Sequence, residues 1–254
     1  MDLPRNSFKA ALRARTQQIG LWCTLPGSGV AEMLAGCGFD WLLIDTEHAP
    51  TDLPTVQTML QAVAPYPTHA AARPGSLDEV EIKRLLDIGA QTLIIPYVQT
   101  VDEARRAVAA VRYPPQGIRG SAGITRASRF GAVANYAARA NEEVCLIVQV
   151  ETISAMDHIE GIAATDGVDG IFIGPADLAA SMGYPGQPGH PEVKAAVLSA
   201  VRRIRAAGKP AGVLALDPAF LGELIVAGTT FTAVGLDAVL LCEGARALAK
   251  KWNG

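Results

Sequence analysis

Short apolar runs recur along the chain, each followed by a polar turn and then by a stretch with apolar residues at helical spacing. The runs at 19–25, 40–45, 68–72, 92–98, 144–150, 169–174, 211–216 and 231–235 read as buried parallel strands. Between and after them, 29–37, 53–63, 78–88, 101–111, 154–165, 192–207, 218–227 and 237–251 read as helices. The helix at 78–88 carries its own punctuation, with Ser76 as N-cap, Glu79 three residues on and Gly89 just past the end. Residues 5–18 form a short polar helix or arm. Strand–helix alternation without a break in composition predicts the α/β class, as one closed (β/α)8 TIM barrel over 1–254 rather than two domains. The length of 254 residues is the usual size of such a barrel.

One segment breaks the rhythm. Residues 113–141 are far longer than an ordinary connection and carry Arg119, Arg126 and Arg129 among glycines. They read equally well as a surface excursion at a subunit contact and as an anion-facing flap or channel wall. A second loop, 182–191, follows Asp177 and is placed to cover a site there.

Composition narrows the function classes. With 50% hydrophobic and 19% charged residues, a large core is easily buried and disorder is not expected. A net charge of -3 leaves no basic footprint for nucleic acid. No apolar run approaches a membrane span, and the first residues lack the apolar core of a signal peptide, so a cytoplasmic protein is expected. The four cysteines are widely spaced, with no Cys-x-x-Cys pair; Cys23 and Cys145 lie inside strand runs, where a free thiol acts as a small hydrophobe.

The chemistry gathers around 144–183. Two strand runs there each deliver a carboxylate at their C-terminal end, Glu151 after the first and Asp177 after the second. A right-handed crossover puts both at the same end of adjacent strands. Two carboxylates held close do not both stay ionised unless a cation lies between them, and oxygen-only ligation suits a hard divalent ion. Two separately solvated acids at strand ends would give the same pattern.

In a barrel of this kind the active site lies at the C-terminal strand ends. The polar residues collected there are Trp22, Asp45, Glu47, His48, Arg73, Gln149, Glu151 and Asp177, whereas the opposite ends are plainer. Arg73 precedes Pro74, and its guanidinium is suited to a carboxylate or a developing oxyanion, or else to a structural pair with a nearby acid. His48 is the one histidine at a strand exit and can exchange a proton near neutral pH. Gly174-Pro175-Ala176 presents small residues beside Asp177, which lets backbone N–H groups approach a ligand carboxylate. No lysine ends a barrel strand, which argues against Schiff-base chemistry.

A family resemblance rests on these same stretches. Gly20-Leu21-Trp22, Asp45-Thr46-Glu47-His48-Ala49, Ala72-Arg73-Pro74, Tyr113-Pro114-Pro115-Gln116-Gly117-Ile118-Arg119-Gly120, Gln149-Val150-Glu151-Thr152 and Ile173-Gly174-Pro175-Ala176-Asp177-Leu178 together resemble the HpcH/HpaI aldolases. These are metal-dependent, class II pyruvate aldolases acting on hydroxy-keto acids. The resemblance implies a barrel whose eighth helix is swapped between subunits of a hexamer, a trimer of dimers. It implies a divalent cation (Mg²⁺, Mn²⁺, Co²⁺ or Zn²⁺) held by Glu151 and Asp177 and chelated by pyruvate or hydroxypyruvate, with an aldehyde as the other partner. By the same resemblance Arg73 contacts the enolate oxygen, His48 transfers a proton, and Asp87 pairs with the histidine across a subunit boundary. Asp45 lies just behind the metal. Substrate contacts are expected from Trp22, Gln149, Gly174, Pro175, Ala176 and Asp177, with Leu214 and the 119–129 loop setting substrate size. Other readings are a lyase or decarboxylase on a related dicarboxylate or acyl-CoA, and a catalytically silent binding barrel.

Overall fold

The structure, a computed structural model, describes residues 1–253. Eight parallel strands close into a barrel in sequence order. They are β1 (Gln18–Cys23), β2 (Trp41–Asp45), β3 (His69–Arg73), β4 (Thr92–Ile95), β5 (Cys145–Val150), β6 (Gly170–Ile173), β7 (Ala211–Leu214) and β8 (Phe231–Leu236). Preceding and between the first strands run α1 (Ser7–Arg13), α2 (Ser28–Ala35), α3 (Leu53–Val63), α4 (Glu79–Asp87), α5 (Val101–Val111) and α6 (Tyr136–Glu143). The second half adds α7 (Ile153–Met156), α8 (Ile159–Ala164), α9 (Pro175–Ser181), α10 (Pro191–Ala206), α11 (Pro218–Ala227) and α12 (Asp237–Asn253).

Alternation along each strand divides the core in two. On β2, Leu42 and Ile44 face outward into the layer between sheet and helices, while Trp41 and Leu43 face the barrel axis. The axis is filled by Phe8, Trp41, Leu43, Ala71, Ile94, Cys145, Ile147, Phe172, Phe231 and Ala233. Large and small residues share this space. A Cβ on Gly20 would lie 2.2 Å from the Trp41 indole, and one on Gly212 would lie 2.1 Å from the Phe231 ring. Helix α1 closes the floor of the barrel, with Phe8 5.5 Å from the Trp41 ring and 5.8 Å from Phe231. Asn6 ties this plug in place by donating to Thr92 Oγ1 (3.0 Å) and to the Glu143 carbonyl (2.9 Å).

Several expected boundaries move for local reasons. The cap of α4 is Asp78, whose carboxylate accepts from Val80 and Glu81 N–H, and not Ser76, which lies too far upstream. Gly89 does follow the helix in the left-handed region (φ 98°). The fourth strand stops at Ile95 instead of 98, because Pro96 and a left-handed Tyr97 (φ 56°) end its ladder. The helix expected over 154–165 is two short ones, α7 and α8, parted at Asp157-His158. Within 113–141, α6 was not foreseen; Arg119 pairs with Asp87 at 2.7 Å and Arg126 donates to the Ile88 carbonyl at 2.7 Å. Those partners end α4, at the N-terminal side of the strands, so within one chain this segment lies away from the strand exits. Among the described residues no helix is long and apolar enough to cross a membrane.

Helix α12 is unlike the others. Only Asp237 in it is buried, and every residue of 240–253 is exposed, including Leu240, Leu241, Leu248 and Trp252. The carboxylate of Asp237 anchors its base, accepting from Thr24 N–H at 2.9 Å and Leu25 N–H at 3.0 Å.

The floor also holds a titrating group. His69 stacks on Phe8 at 5.6 Å, and its Nε2 lies 2.7 Å from Thr92 Oγ1. Burial lowers its pKa from 6.5 to about 4. A histidine depressed in the folded state supports folding fully above its unfolded pKa, and that support is lost as pH falls from 6.5 toward 4. The parent chain should therefore lose up to about 3 kcal/mol more than His69→Gln across that window. Urea unfolding of both at several pH values measures it, and parallel curves would show that His69 carries no such linkage.

Candidate active site

The inward parity of each strand continues past its apolar residues to its C-terminal exit. On β5 the sequence Cys145, Ile147, Gln149 and Glu151 follows one face, and on β3 Ala71 is followed by Arg73. Trp22, Asp45, Gly174 and Leu214 continue the same face of β1, β2, β6 and β7. These inward residues are thus brought over the aromatic floor, where the Trp22 ring lies tilted against Phe172 at 5.3 Å.

Asp45 and Arg73 are register partners on neighbouring strands. The guanidinium donates from Nε to Asp45 Oδ1 (2.8 Å) and from Nη2 to Oδ2 (2.6 Å), while Nη1 lies 2.7 Å from Glu47 Oε2. Trp22 Nε1 donates to Asp45 Oδ2 at 3.2 Å, and its ring lies under the guanidinium at 4.8 Å. So the structural pairing foreseen as the bland role of Arg73 exists, with two acids. It does not exhaust the side chain: of five guanidinium N–H groups, two are spent in hydrogen bonds, both on Asp45. Burial pushes the Asp45 carboxyl up, but the hydrogen bonds and charge of Arg73 outweigh it and hold the pKa below the usual value. Glu47 is raised, chiefly by burial, with Asp45 and Asp177 adding to the effect against Arg73 and His48.

Glu151 is 2% exposed. Its Oε1 accepts from the Tyr97 backbone N–H at 2.7 Å, and its Oε2 accepts from Gln149 Nε2. Gly174 leaves it room, since a Cβ there would lie 2.4 Å from Oε2. Burial raises the Glu151 pKa to about 7; the two donors oppose the shift, and the charges of Asp177 and Glu47 add to it. Asp177 is exposed in the first turn of α9. Leu178 makes the first backbone bond of that helix, to Gly174, so the Ala176 and Asp177 N–H groups have no partner within it.

This donor set fits a divalent cation. Each Glu151 oxygen spends one acceptor position on a neutral donor and keeps another, and the cluster of carboxylates outnumbers its one guanidinium. Among the described residues no group of three or more His, Cys, Asp or Glu gathers in ligand geometry, so two protein carboxylates would leave the remaining positions to small molecules.

His48 is exposed, with its side chain at 65%, and its nearest charged neighbour is Glu47 at 3.9 Å. Asp87 is not beside it: it ends α4 on the far side of the barrel, paired with Arg119, whose buried guanidinium also lies 4.3 Å over the Tyr113 ring. Leu214 packs against the axial cluster that holds Trp22 and Phe172. A cavity of about 250 Å³ lies at the opposite, floor end, lined in part by His69, Arg126 and Arg129, and contains none of the strand-exit residues. Sequence reading left Glu47 without a role and missed Tyr97 altogether; the first sits in a motif that signalled it, the second acts through its backbone.

With the geometry in place, comparison with known proteins gives the class. The family model described as HpcH/HpaI aldolase/citrate lyase matches residues 18–243, and this chain belongs to that family. The hydroxypyruvate/pyruvate aldolase of Sagittula stellata is 59% identical over 253 residues, covering 100% of both chains. The pyruvate aldolase of Rhizobium etli is 58% identical over 99% of both. An HpcH/HpaI aldolase/citrate lyase family protein of Burkholderia cenocepacia superposes with a TM-score of 0.94 at 39% identity, covering 98% of this chain and 100% of that one. Similarity of this extent makes the protein an enzyme of the aldolase type.

The Asp45–Arg73 pair should be costly to break from one side. Asp45→Asn leaves a buried guanidinium short of charge and should lower unfolding free energy by about 3 kcal/mol. The double variant Asp45→Leu/Arg73→Leu should recover much of that loss. Denaturant titration of the three chains measures it, and an Asp45→Asn chain as stable as the parent would refute the pair's structural weight.

Proposed function

We propose that the protein is a divalent-metal-dependent aldolase that reversibly cleaves 4-hydroxy-2-oxo acids to an aldehyde and pyruvate, or an analogue such as hydroxypyruvate. The observation that carries this reading is Glu151, a buried carboxylate at a strand exit, held by two neutral donors and raised to about 7 by burial and by the nearby charges of Asp177 and Glu47. The names of the Sagittula and Rhizobium relatives support the choice of keto acid. The chain 1–254 works as one catalytic domain in the cytoplasm.

Glu151 and Asp177 would hold the cation; Mg²⁺, Mn²⁺, Co²⁺ and Zn²⁺ all accept such oxygen ligands. When bound, it polarises the keto group and offsets the charge of the enolate. The chain's own residues do the rest. Arg73 gives its remaining N–H groups to the keto oxygen, and Asp45, Glu47 and Trp22 hold the guanidinium in one plane for that purpose. Gln149 keeps Glu151 in place and, with Gly174, Pro175 and Ala176, shapes the berth of the keto acid. Leu214 forms an apolar wall on the aldehyde side. His48 moves the proton to or from the aldol hydroxyl.

The active form is a homo-oligomer, a hexamer built as a trimer of dimers. Its α12 helices are exchanged between subunits, and Asp87 of a second copy orients His48. Support comes from the exposed apolar side chains of α12, from Val226 of α11 at 89% exposure, and from the open position of His48, whose side chain is 65% exposed with Glu47 3.9 Å away. A stable, active monomer in analytical ultracentrifugation would overturn the assembly.

Chelation should abolish turnover, and Glu151→Gln or Asp177→Asn should abolish metal uptake without unfolding the chain; full activity of metal-free enzyme would refute the reading. Arg73 and His48 can be separated by following aldol cleavage and oxaloacetate decarboxylation, two reactions that pass through one enolate. Arg73→Ala should slow both by about a hundredfold or more. His48→Ala should slow aldol cleavage by roughly a hundred- to ten-thousandfold while sparing much of the decarboxylation, which has no hydroxyl proton to remove. Equal loss of both in His48→Ala would place the histidine at the enolate step.

A further inference from the structure

Strand β4 leaves the sheet in an unusual way. Its ladder with β5 is regular from Thr92↔Cys145 to Ile95↔Val148. Continued in that register, the donor to the Gln149 carbonyl would be Tyr97 N–H. Instead Val98 N–H makes that bond, at 3.0 Å, so the β4 exit contains one residue more than the ladder needs. Tyr97 is the extra residue. Its φ of 56° lies in the left-handed region, which an L-residue with a bulky side chain enters only at a cost. Burial of the ring does not offset that cost, since Tyr97 is 54% exposed. What the conformation achieves is a turn of the N–H out of the ladder and onto Glu151 Oε1 at 2.7 Å.

We infer that Tyr97 is a positioning residue for the metal, its left-handed backbone aiming the N–H that fixes the rotation of the Glu151 carboxylate. The inference rests on the reading of Glu151 as a ligand and deepens it. With Gln149 Nε2 on Oε2 and Tyr97 N–H on Oε1, each oxygen is held by one donor and presents one remaining acceptor position toward the site. Donors behind a ligand set its orientation and tune the affinity of the site. The bulge puts that donor on backbone, where no rotamer change can withdraw it. The residue type at position 97 then matters through its tolerance of positive φ rather than through its ring.

The test is the Mn²⁺ affinity of the full-length protein by calorimetry, across substitutions that differ in that tolerance. Tyr97→Gly and Tyr97→Asn accept the left-handed region and should bind within about threefold of the parent. Tyr97→Val and Tyr97→Ile resist it and should bind about 10- to 100-fold more weakly. Equal affinity across all four, in a parent that binds Mn²⁺, overturns the inference and leaves the metal reading standing. A parent that takes up no Mn²⁺, or a Glu151→Gln chain that binds it as tightly, removes the metal reading and this inference with it. Should the β-branched variants fail to fold, selective ¹⁵N labelling of the five tyrosines supplies a second readout. The Tyr97 amide, assigned by its absence in Tyr97→Phe, should move on Mg²⁺ addition in the parent and stay still in Glu151→Gln. A Tyr97 amide that does not move while the parent takes up Mg²⁺ would equally overturn the inference.

Discussion

A strand in a closed barrel shows every second side chain to the axis, and the eight strands here use that rule for two incompatible tasks. Near the floor the inward positions are aromatic or aliphatic, with Trp41, Phe172 and Phe231 filling the space that Gly20 and Gly212 leave open. At the exits the same parity presents Asp45, Arg73, Gln149 and Glu151. Dispersion and apolar burial below supply the rigidity; the charges above, several of them buried, depend on it. Asp45 at 1% and Glu151 at 2% exposure have little water to fall back on, so their partners must be held to within fractions of an ångström.

Those partners differ in kind, and the difference sorts the roles. Asp45 has a guanidinium in bidentate contact and an indole N–H, and it is a settled carboxylate. Glu151 has only neutral donors, a side-chain amide and a backbone N–H, with two like charges nearby. Neutral donors stabilise a buried carboxylate less than a full positive charge does. The contrast between two buried acids at the same end of the barrel, one after β2 and one after β5, is what points to a cation beside one and not the other.

The upper rim is open. His48 stands in solvent, Asp87 is held by Arg119 at the far end, and α12 leaves the barrel with its leucines and Trp252 uncovered. Asp237 joins these facts physically, because its carboxylate anchors both the base of α12 and the loop leaving β1, the strand that carries Trp22. The orientation of α12 is therefore tied to the rim through that anchor.

Local pattern was enough to define the barrel. Runs of β-branched residues between helical stripes need no partner to be recognised, and their order alone forces right-handed crossovers and a common end for Asp45, Arg73, Glu151 and Asp177. Residue chemistry at those exits, with the family resemblance, was enough to expect a metal and an enolate. Boundaries such as the break between α7 and α8 were less legible, because propensity changes gradually over a few residues. Three things needed the folded chain. The occupancy of Arg73 by both Asp45 and Glu47 depends on side-chain rotamers across two strands. The placement of Arg119 against Asp87 joins residues from separate connections. The bulge at Tyr97 is a backbone event, in which an ordinary tyrosine takes a conformation its side chain disfavours. Periodicity and residue type report what a segment prefers, so they reveal sites made of side chains; a donor supplied by a peptide group held against its preference exists only once the neighbouring strand is there to hold it.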